Sequence, residues 1–365
     1  MLKRKMGNRR YNYMIDFMKC VAMLCVVSLH VGIIAETVCG FEYSEKTWIF
    51  KTPAWSAVWI FFTLSGALNG ISFYNEKYTF DKKGLIQFYK SRIFKVLIPT
   101  LIYILLAVCL IDLKAVLDNP IVILKVLTLS YYNNPAITSI GATWYVFVLI
   151  KLYIIAPLIA YFVHMLMDGR TIRRHVVVII LIALIGCCFR ILTYKLGIPW
   201  GMIYVPWYMN LDLFVSGMVA AHSCKCCNSK KDNGLIKPTC GIVFFITLIV
   251  INIRIYYIAD ENVTAMFLYQ YIFPTIWLMF VCVYFMMYID CDFSQGFLIK
   301  GVEKLAQVSF YIYLVHSMVA QQIAPYIAIE SVNKRYIVLL LITFLISLCL
   351  AVVMYRAVNY QRREK

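Results

Sequence analysis

Ten stretches of this chain stay apolar for close to the 20 residues that an α-helix needs to cross the hydrocarbon core of a bilayer. They fall at about residues 13 to 35, 54 to 74, 93 to 112, 143 to 163, 175 to 193, 204 to 221, 240 to 258, 265 to 288, 304 to 327 and 336 to 356. A soluble domain is about 45–50% apolar, whereas this chain is 62% hydrophobic. The sequence therefore predicts an all-α polytopic membrane protein, a bundle of about ten transmembrane helices forming a single domain over residues 1–365. The sixth run is short and holds Asp212, and the ninth is interrupted by polar residues. The run Ile121 to Leu129 is too short to span and is expected to lie at the interface or to re-enter.

A net charge of +17 would suit a nucleic-acid binder if it were gathered in one basic domain. Here the charge alternates between connections instead. Of the 35 Lys and Arg, 24 fall on the side that holds both tails and nine on the other, those near span ends counted with the adjoining connection, with Lys19 and Lys151 deeper inside spans. That bias follows the positive-inside rule, so both termini are expected in the cytoplasm and lipid, not nucleic acid, is the expected surroundings. The first outer connection is acidic, with Glu36, Glu42 and Glu45, and the second carries Asp112 and Asp118. The basic start MLKRKMGNRR followed by an apolar run has the form of a secretory signal. The run is long, contains ionisable residues and lacks a small-residue cleavage pattern, so it is read as a span. No appended soluble domain is expected. The 13 cysteines are scattered without a disulfide framework and are read as free thiols.

Ionisable residues inside spans carry the functional information, because at membrane depth they are costly unless they face protein or water. Asp16, Lys19 and His30 share one face of the first span: Lys19 lies three residues after Asp16, and His30 follows eleven later, about three turns and roughly 16 Å of rise. Asp16 can pair with the Lys19 ammonium. A neutral imidazole at His30 can accept a proton from a hydroxyl nucleophile, or can simply hydrogen-bond between helices. Lys151 and Asp212 are expected to face the interior, as a candidate pair. Ser309, Tyr313 and His316 form a polar stripe on the ninth span at helical spacing, open either to substrate contact or to interhelical hydrogen bonding. By depth, that stripe is expected to face His30.

The arrangement Asp16, two residues, Lys19, ten residues, His30 resembles the opening motif of the acyltransferase-3 family, integral membrane enzymes that O-acylate sugars. The family's usual basic residue is Arg; Lys19 keeps the charge without the planar guanidinium fork. Further matches run along almost the whole chain. WIFFTLSGAL holds Phe61, Phe62, Ser65 and Gly66, of which the last two also suit close helix packing. SRIFKVLIP holds Arg92, Lys95 and Pro99, again with Lys for the commoner second Arg. TWYVFVLIKLYIIAPLI holds Trp144, Tyr145, Tyr153 and Pro157, NLDLFVSGMVAA holds Phe214 and Gly217, and VSFYIYLVH holds Ser309, Phe310, Tyr313 and His316.

The resemblance implies a membrane O-acyltransferase, most simply an O-acetyltransferase. Its donor would be cytoplasmic acyl-CoA (acetyl-CoA) and its acceptor a sugar hydroxyl on a surface polysaccharide or lipid-linked glycan. Polysaccharide-synthesis proteins are the implied neighbours and the bacterial cytoplasmic membrane the implied location. His30, with Lys19 and Asp16, would be catalytic. Arg92 and Lys95 would bind the coenzyme, although basic residues also flank spans simply as anchors. Trp144, Tyr153, Ser309, Tyr313 and His316 would line the substrate cavity, although Trp144 equally suits an interfacial aromatic belt. A transporter or flippase for a glycan, and a membrane partner of a polysaccharide synthase, use the same polar stripes without acyl transfer. No P-loop, dinucleotide fingerprint or H-E-x-x-H is present. HSCKCC, with His222, Cys224, Cys226 and Cys227, lacks paired C-x-x-C knuckles, so no metal is expected. His164 and His175 flank one basic loop and are read as interfacial.

Overall fold

The computed structural model describes residues 13–39, 54–131, 137, 139–226, 250, 263–288 and 297–360. Its regular elements are helices: α1 (Tyr13–Cys39), α2 (Ala54–Tyr74), α3 (Lys82–Asp118), α4 (Ile121–Leu127), α5 (Trp144–Met167), α6 (Ile172–Lys195), α7 (Trp200–Tyr204) and α8 (Leu211–Cys226). A helical stretch, Val263–Phe267, then passes through a π turn, Leu268–Ile272, into α9 (Phe273–Tyr288). The last two are α10 (Phe297–Ile323) and α11 (Val332–Tyr360).

Among the described residues, six helices are long and apolar enough to cross a membrane: those containing Ile15–Thr37, Trp55–Tyr74, Lys82–Asp118, Gly141–Met167, Ile172–Lys195 and Val332–Asn359. They coincide with the first five and the last of the ten expected runs. The sixth run forms α8, of 16 residues, and the eighth and ninth lie on α9 and α10, which are helical but are not among the six. The seventh, 240 to 258, lies almost wholly outside the described residues, as do the two tails. Ile121 to Leu129 folds as the seven-residue α4, which buries Val122 and Val126 and exposes Leu124 and Leu127.

The centre of the bundle is the contact of α2 with α8. Their backbones touch, because a Cβ on Gly66 would run into the carbonyl of Phe214 and one on Gly217 into that of Thr63. Small residues at a helix interface allow this approach, and the packing reading of Gly66 is the one the fold uses. α1 packs between α2 and α10, and α11 covers α1 and α10 from outside. Tyr336 of α11 fixes that layer: its hydroxyl lies 2.6 Å from Ser28 Oγ and donates to the Ser28 carbonyl at 3.0 Å. The outward faces of α6 and α11 remain apolar, with Ile185 69% and Val353 65% exposed. Such surfaces are stable against lipid tails and costly in water.

α3 starts at Asp81, whose carboxylate accepts the Gly84 amide at 2.7 Å and the Thr79 hydroxyl at 2.5 Å. These bonds, the Thr79 hydroxyl foremost, hold the carboxyl below the usual carboxylate range. Two π turns, Ile93–Leu97 and Val108–Asp112, interrupt α3. The second brings Asp112, expected in an outer connection, into a buried position where it accepts the Ser139 amide at 3.1 Å and the Ser139 hydroxyl. Phenols pin the same loop from three sides: Tyr103 donates to the Ser139 carbonyl at 2.6 Å, Tyr131 to Ile137 at 2.6 Å and Tyr313 to Ala142 at 2.5 Å.

Asp212 does not pair with Lys151. Its partner is Arg190, which donates Nη1 to Oδ2 at 2.8 Å and Nη2 to Oδ1 at 2.9 Å, and also Nη2 to the Met209 carbonyl at 3.2 Å. Arg190, which the charge count assigns to a connection, lies inside α6 with its side chain 5% exposed. The planar fork of a guanidinium takes a carboxylate with both oxygens, which a lysine cannot do.

Candidate functional site

His30 of α1 and His316 of α10 meet directly, with His30 Nδ1 2.7 Å from His316 Nε2. The rings are 3° from parallel and their centroids are 5.0 Å apart, the separation of two imidazoles joined end to end in one plane by such a bond. α1 and α10 run in the same direction, with Cys20 against Val302 lower down. Ten residues on one helix and fourteen on the other then bring the two histidines together.

Hydrogen-bond accounting fixes the tautomers. His316 Nδ1 lies 2.6 Å from the Tyr313 carbonyl, an acceptor only, so this nitrogen carries the proton and donates. His316 Nε2 therefore holds a lone pair and accepts from His30 Nδ1–H. The relay leaves the lone pair of His30 on Nε2, which has no hydrogen-bond partner among the described residues. His316 is fully buried and His30 half-buried, so the pair presents one basic nitrogen from a largely closed interior. Such a chain can receive a proton at His30 Nε2 while the carbonyl orients the second ring.

Aromatic and polar groups continue from this pair along α2 and α5. The Tyr313 ring lies 5.7 Å from His316 and 5.4 Å from Tyr145. Phe61 and Phe62 pack on Tyr145 at 5.8 and 4.9 Å, and Ser65 hydrogen-bonds its phenol. One turn further, Asn69 donates to the Ser65 carbonyl at 2.6 Å and accepts Arg92 Nη2 at 2.6 Å. The Arg92 guanidinium sits 4.8 Å from the Tyr153 ring and 5.0 Å from Phe88, two cation–π contacts. Its buried Nε has no hydrogen-bond partner among the described residues. The column from His30 to Arg92 thus joins α1, α10, α5, α2 and α3.

Several predicted residues fall in this column: His30, His316, Tyr313, Arg92 and Tyr153. Lys19 and Asp16 pair as their spacing predicts, Nζ to Oδ1 at 2.9 Å, but about three turns of α1 separate them from His30. Lys95 is half-buried on the π turn after Arg92, and that wider turn moves it off the face that α-helical spacing gives. Ser309 spends its hydroxyl on the Ala306 carbonyl of its own helix at 2.9 Å, two turns before His316. Trp144 packs half-buried on Tyr204, ring centroids 4.7 Å apart. Asn69 was not anticipated, although a lone amide in the middle of an apolar run is the kind of residue that marks an interior polar partner.

A family model described as an acyltransferase domain matches residues 12–356, nearly the whole chain. No curated protein and no solved structure matches it. The match spans every residue of the histidine pair and of the column leading to Arg92, and by it the chain belongs to the acyltransferase-3 family of membrane acyltransferases.

Proposed function

We propose that this protein is an O-acyltransferase that moves an acyl group, most simply acetyl, from acyl-coenzyme A to a sugar hydroxyl of a polysaccharide or its lipid-linked precursor. The observation that carries the reading is the His30–His316 relay, which exposes one basic nitrogen on an oriented imidazole. In the reaction His30 Nε2 takes the proton of the sugar hydroxyl as its oxygen attacks the thioester carbonyl. The C–S bond then breaks, the new ester keeps the acyl group, and the proton held at His30 passes to the departing thiolate to give free coenzyme A. His316 keeps His30 in the tautomer that has Nε2 free, and the Tyr313 carbonyl does the same for His316.

Arg92 fits the donor. Its charge is held between two aromatic faces, and its Nε remains without a hydrogen-bond partner among the described residues, so an arriving phosphate meets a positioned cation. The coenzyme's long arm would lie along the aromatic column with the thioester at the histidines. Lys19, held by Asp16, adds positive charge on α1 without the fork that would grip phosphate in two places. With the termini in the cytoplasm of a bacterial cell, the Arg92 end faces the donor and the His30 end faces the acceptor. Polysaccharide-synthesis proteins would supply the acceptor.

The test is release of coenzyme A from acetyl-coenzyme A by the purified protein with a glycan acceptor. The wild type is expected to release it, and His30→Ala to lose about 10²- to 10⁴-fold in rate while remaining folded. Full activity in His30→Ala, or loss of glycan export with acylation intact, would instead identify a transporter.

A further inference from the structure

The three histidines outside the proposed catalytic pair are His164, His175 and His222, and they form a second cluster. The chain builds it simply. α5 ends with His164 in its last turn and Asp168 as its C-cap, and Gly169 at φ +66° turns the backbone so that α6 starts with His175 in its first turn. α8 runs parallel to α2 and brings His222 to the same end, where Tyr74 packs edge-on against it at 4.8 Å. His175 and His222 are fully buried, His164 half-buried and Asp168 exposed.

The bonds within the cluster have a direction. His175 Nδ1 lies 3.0 Å from the Thr171 carbonyl and so donates to it, which leaves Nε2 as an acceptor for His222 Nδ1–H at 3.1 Å. His222 Nε2 therefore points a lone pair at His164 Nδ1, 3.2 Å away. Two imidazole nitrogens on one tetrahedral zinc ion, each at 2.0–2.1 Å, stand about 3.3 Å apart. Asp168 follows His164 by four residues on the same helix face, and ligand atoms of His164, Asp168 and His222 all lie within 4.8 Å of one another. An exposed aspartate can close the remaining gap by rotating its side chain.

We propose that His164 Nδ1, His222 Nε2 and the Asp168 carboxylate bind a divalent transition metal of the zinc type, with the fourth position open to water. The metal replaces the proton shared by His164 and His222, and that proton moves to His164 Nε2 or to solvent. His175, oriented by the Thr171 carbonyl, holds the His222 ring in its ligating tautomer, the outer-shell arrangement found behind metal-bound histidines. The carbonyl ends of α5 and α8 add favourable negative potential for a cation. Nothing in this set overlaps the His30–His316 pair. Its place at the ends of α5, α6 and α8 makes the ion a clasp on the bundle, near Arg92 rather than near His30: Tyr74 follows Asn69 by about one turn and a half of α2.

The experiment uses full-length, tag-free protein in detergent, stripped with chelator and titrated with Zn²⁺ and, for its visible spectrum, Co²⁺. The expected result is about one equivalent bound per chain, a cobalt spectrum of tetrahedral type, and a melting temperature raised by Zn²⁺. Asp168→Asn and His164→Gln, which change exposed and half-exposed groups and leave the fold intact, are expected to weaken binding at least tenfold and remove the thermal shift. His175→Gln is expected to weaken it about 10- to 100-fold. Absence of stoichiometric binding by the wild type overturns the proposal. So does wild-type affinity in both Asp168→Asn and His164→Gln, or loss of the metal only when Cys224, Cys226 and Cys227 are replaced by Ser.

Discussion

At the scale of residues, the chain places its buried charges and imidazoles in pairs, of which one, Arg190 with Asp212, is not the pair that the sequence suggests. Arg190 and Asp212 form a bidentate pair with both side chains at most 10% exposed. Removing one partner of such a pair leaves a buried charge unmatched, which costs about 3–5 kcal/mol, whereas replacing both with apolar residues is close to neutral. Arg190→Met is therefore expected to lower the melting temperature sharply and Arg190→Met/Asp212→Leu to restore most of it, as measured by thermal unfolding in detergent; equal losses in both would contradict the pairing. The sequence showed that Asp212 needs an interior partner but not which one. Lys151 and Arg190 both lie in apolar runs, and only the crossing of α6 on α8 decides between them. His30 was legible because it sits with Asp16 and Lys19 at helical spacing, and His316 through its family motif. Depth already set the two histidines facing each other; their direct bond depends on the parallel packing of α1 and α10, which brings together residues 286 apart in the chain.

At the scale of elements, the α2–α8 contact sets the position of Ser65, Asn69 and Phe61 and hence of the aromatic column. Gly66 and Gly217 are each opposed by backbone carbonyls, which cannot rotate away as a side chain would. Gly66→Ala is expected to push α8 from α2 and cost about 1–3 kcal/mol, the usual size of an overpacking penalty. Acyl-transfer activity should fall with it, because Asn69 would move with α2 away from Arg92. A wild-type melting temperature for Gly66→Ala would show that the two helices separate freely. Six spans were legible as apolar runs of the right length. α10 is less apolar because it carries Lys300, Glu303, Lys304 and Gln307 on its first turns together with the buried polar stripe on its later ones. The π turn at Ile93–Leu97 was not legible, since no residue type marks it, and its effect falls on Lys95, which lies within it.

At the scale of the whole molecule, two histidine networks stand at different levels of one bundle, with Arg92 and its aromatic cradle between them. The second cluster is not legible in the sequence because its members come from three separate segments, and only the α5–α6 turn and the end of α8 unite them. His30 and His316 are proposed to act as one unit in proton transfer. A double-variant cycle on coenzyme A release, with glycan acceptor and saturating acetyl-coenzyme A, tests it most directly. Groups that act as a unit lose their effects non-additively. His30→Ala and His316→Ala are each expected to lower kcat by about 10²-fold or more, and the double variant to be no slower than His30→Ala alone. Multiplied losses in the double variant, or a wild-type rate in His30→Ala, would contradict this.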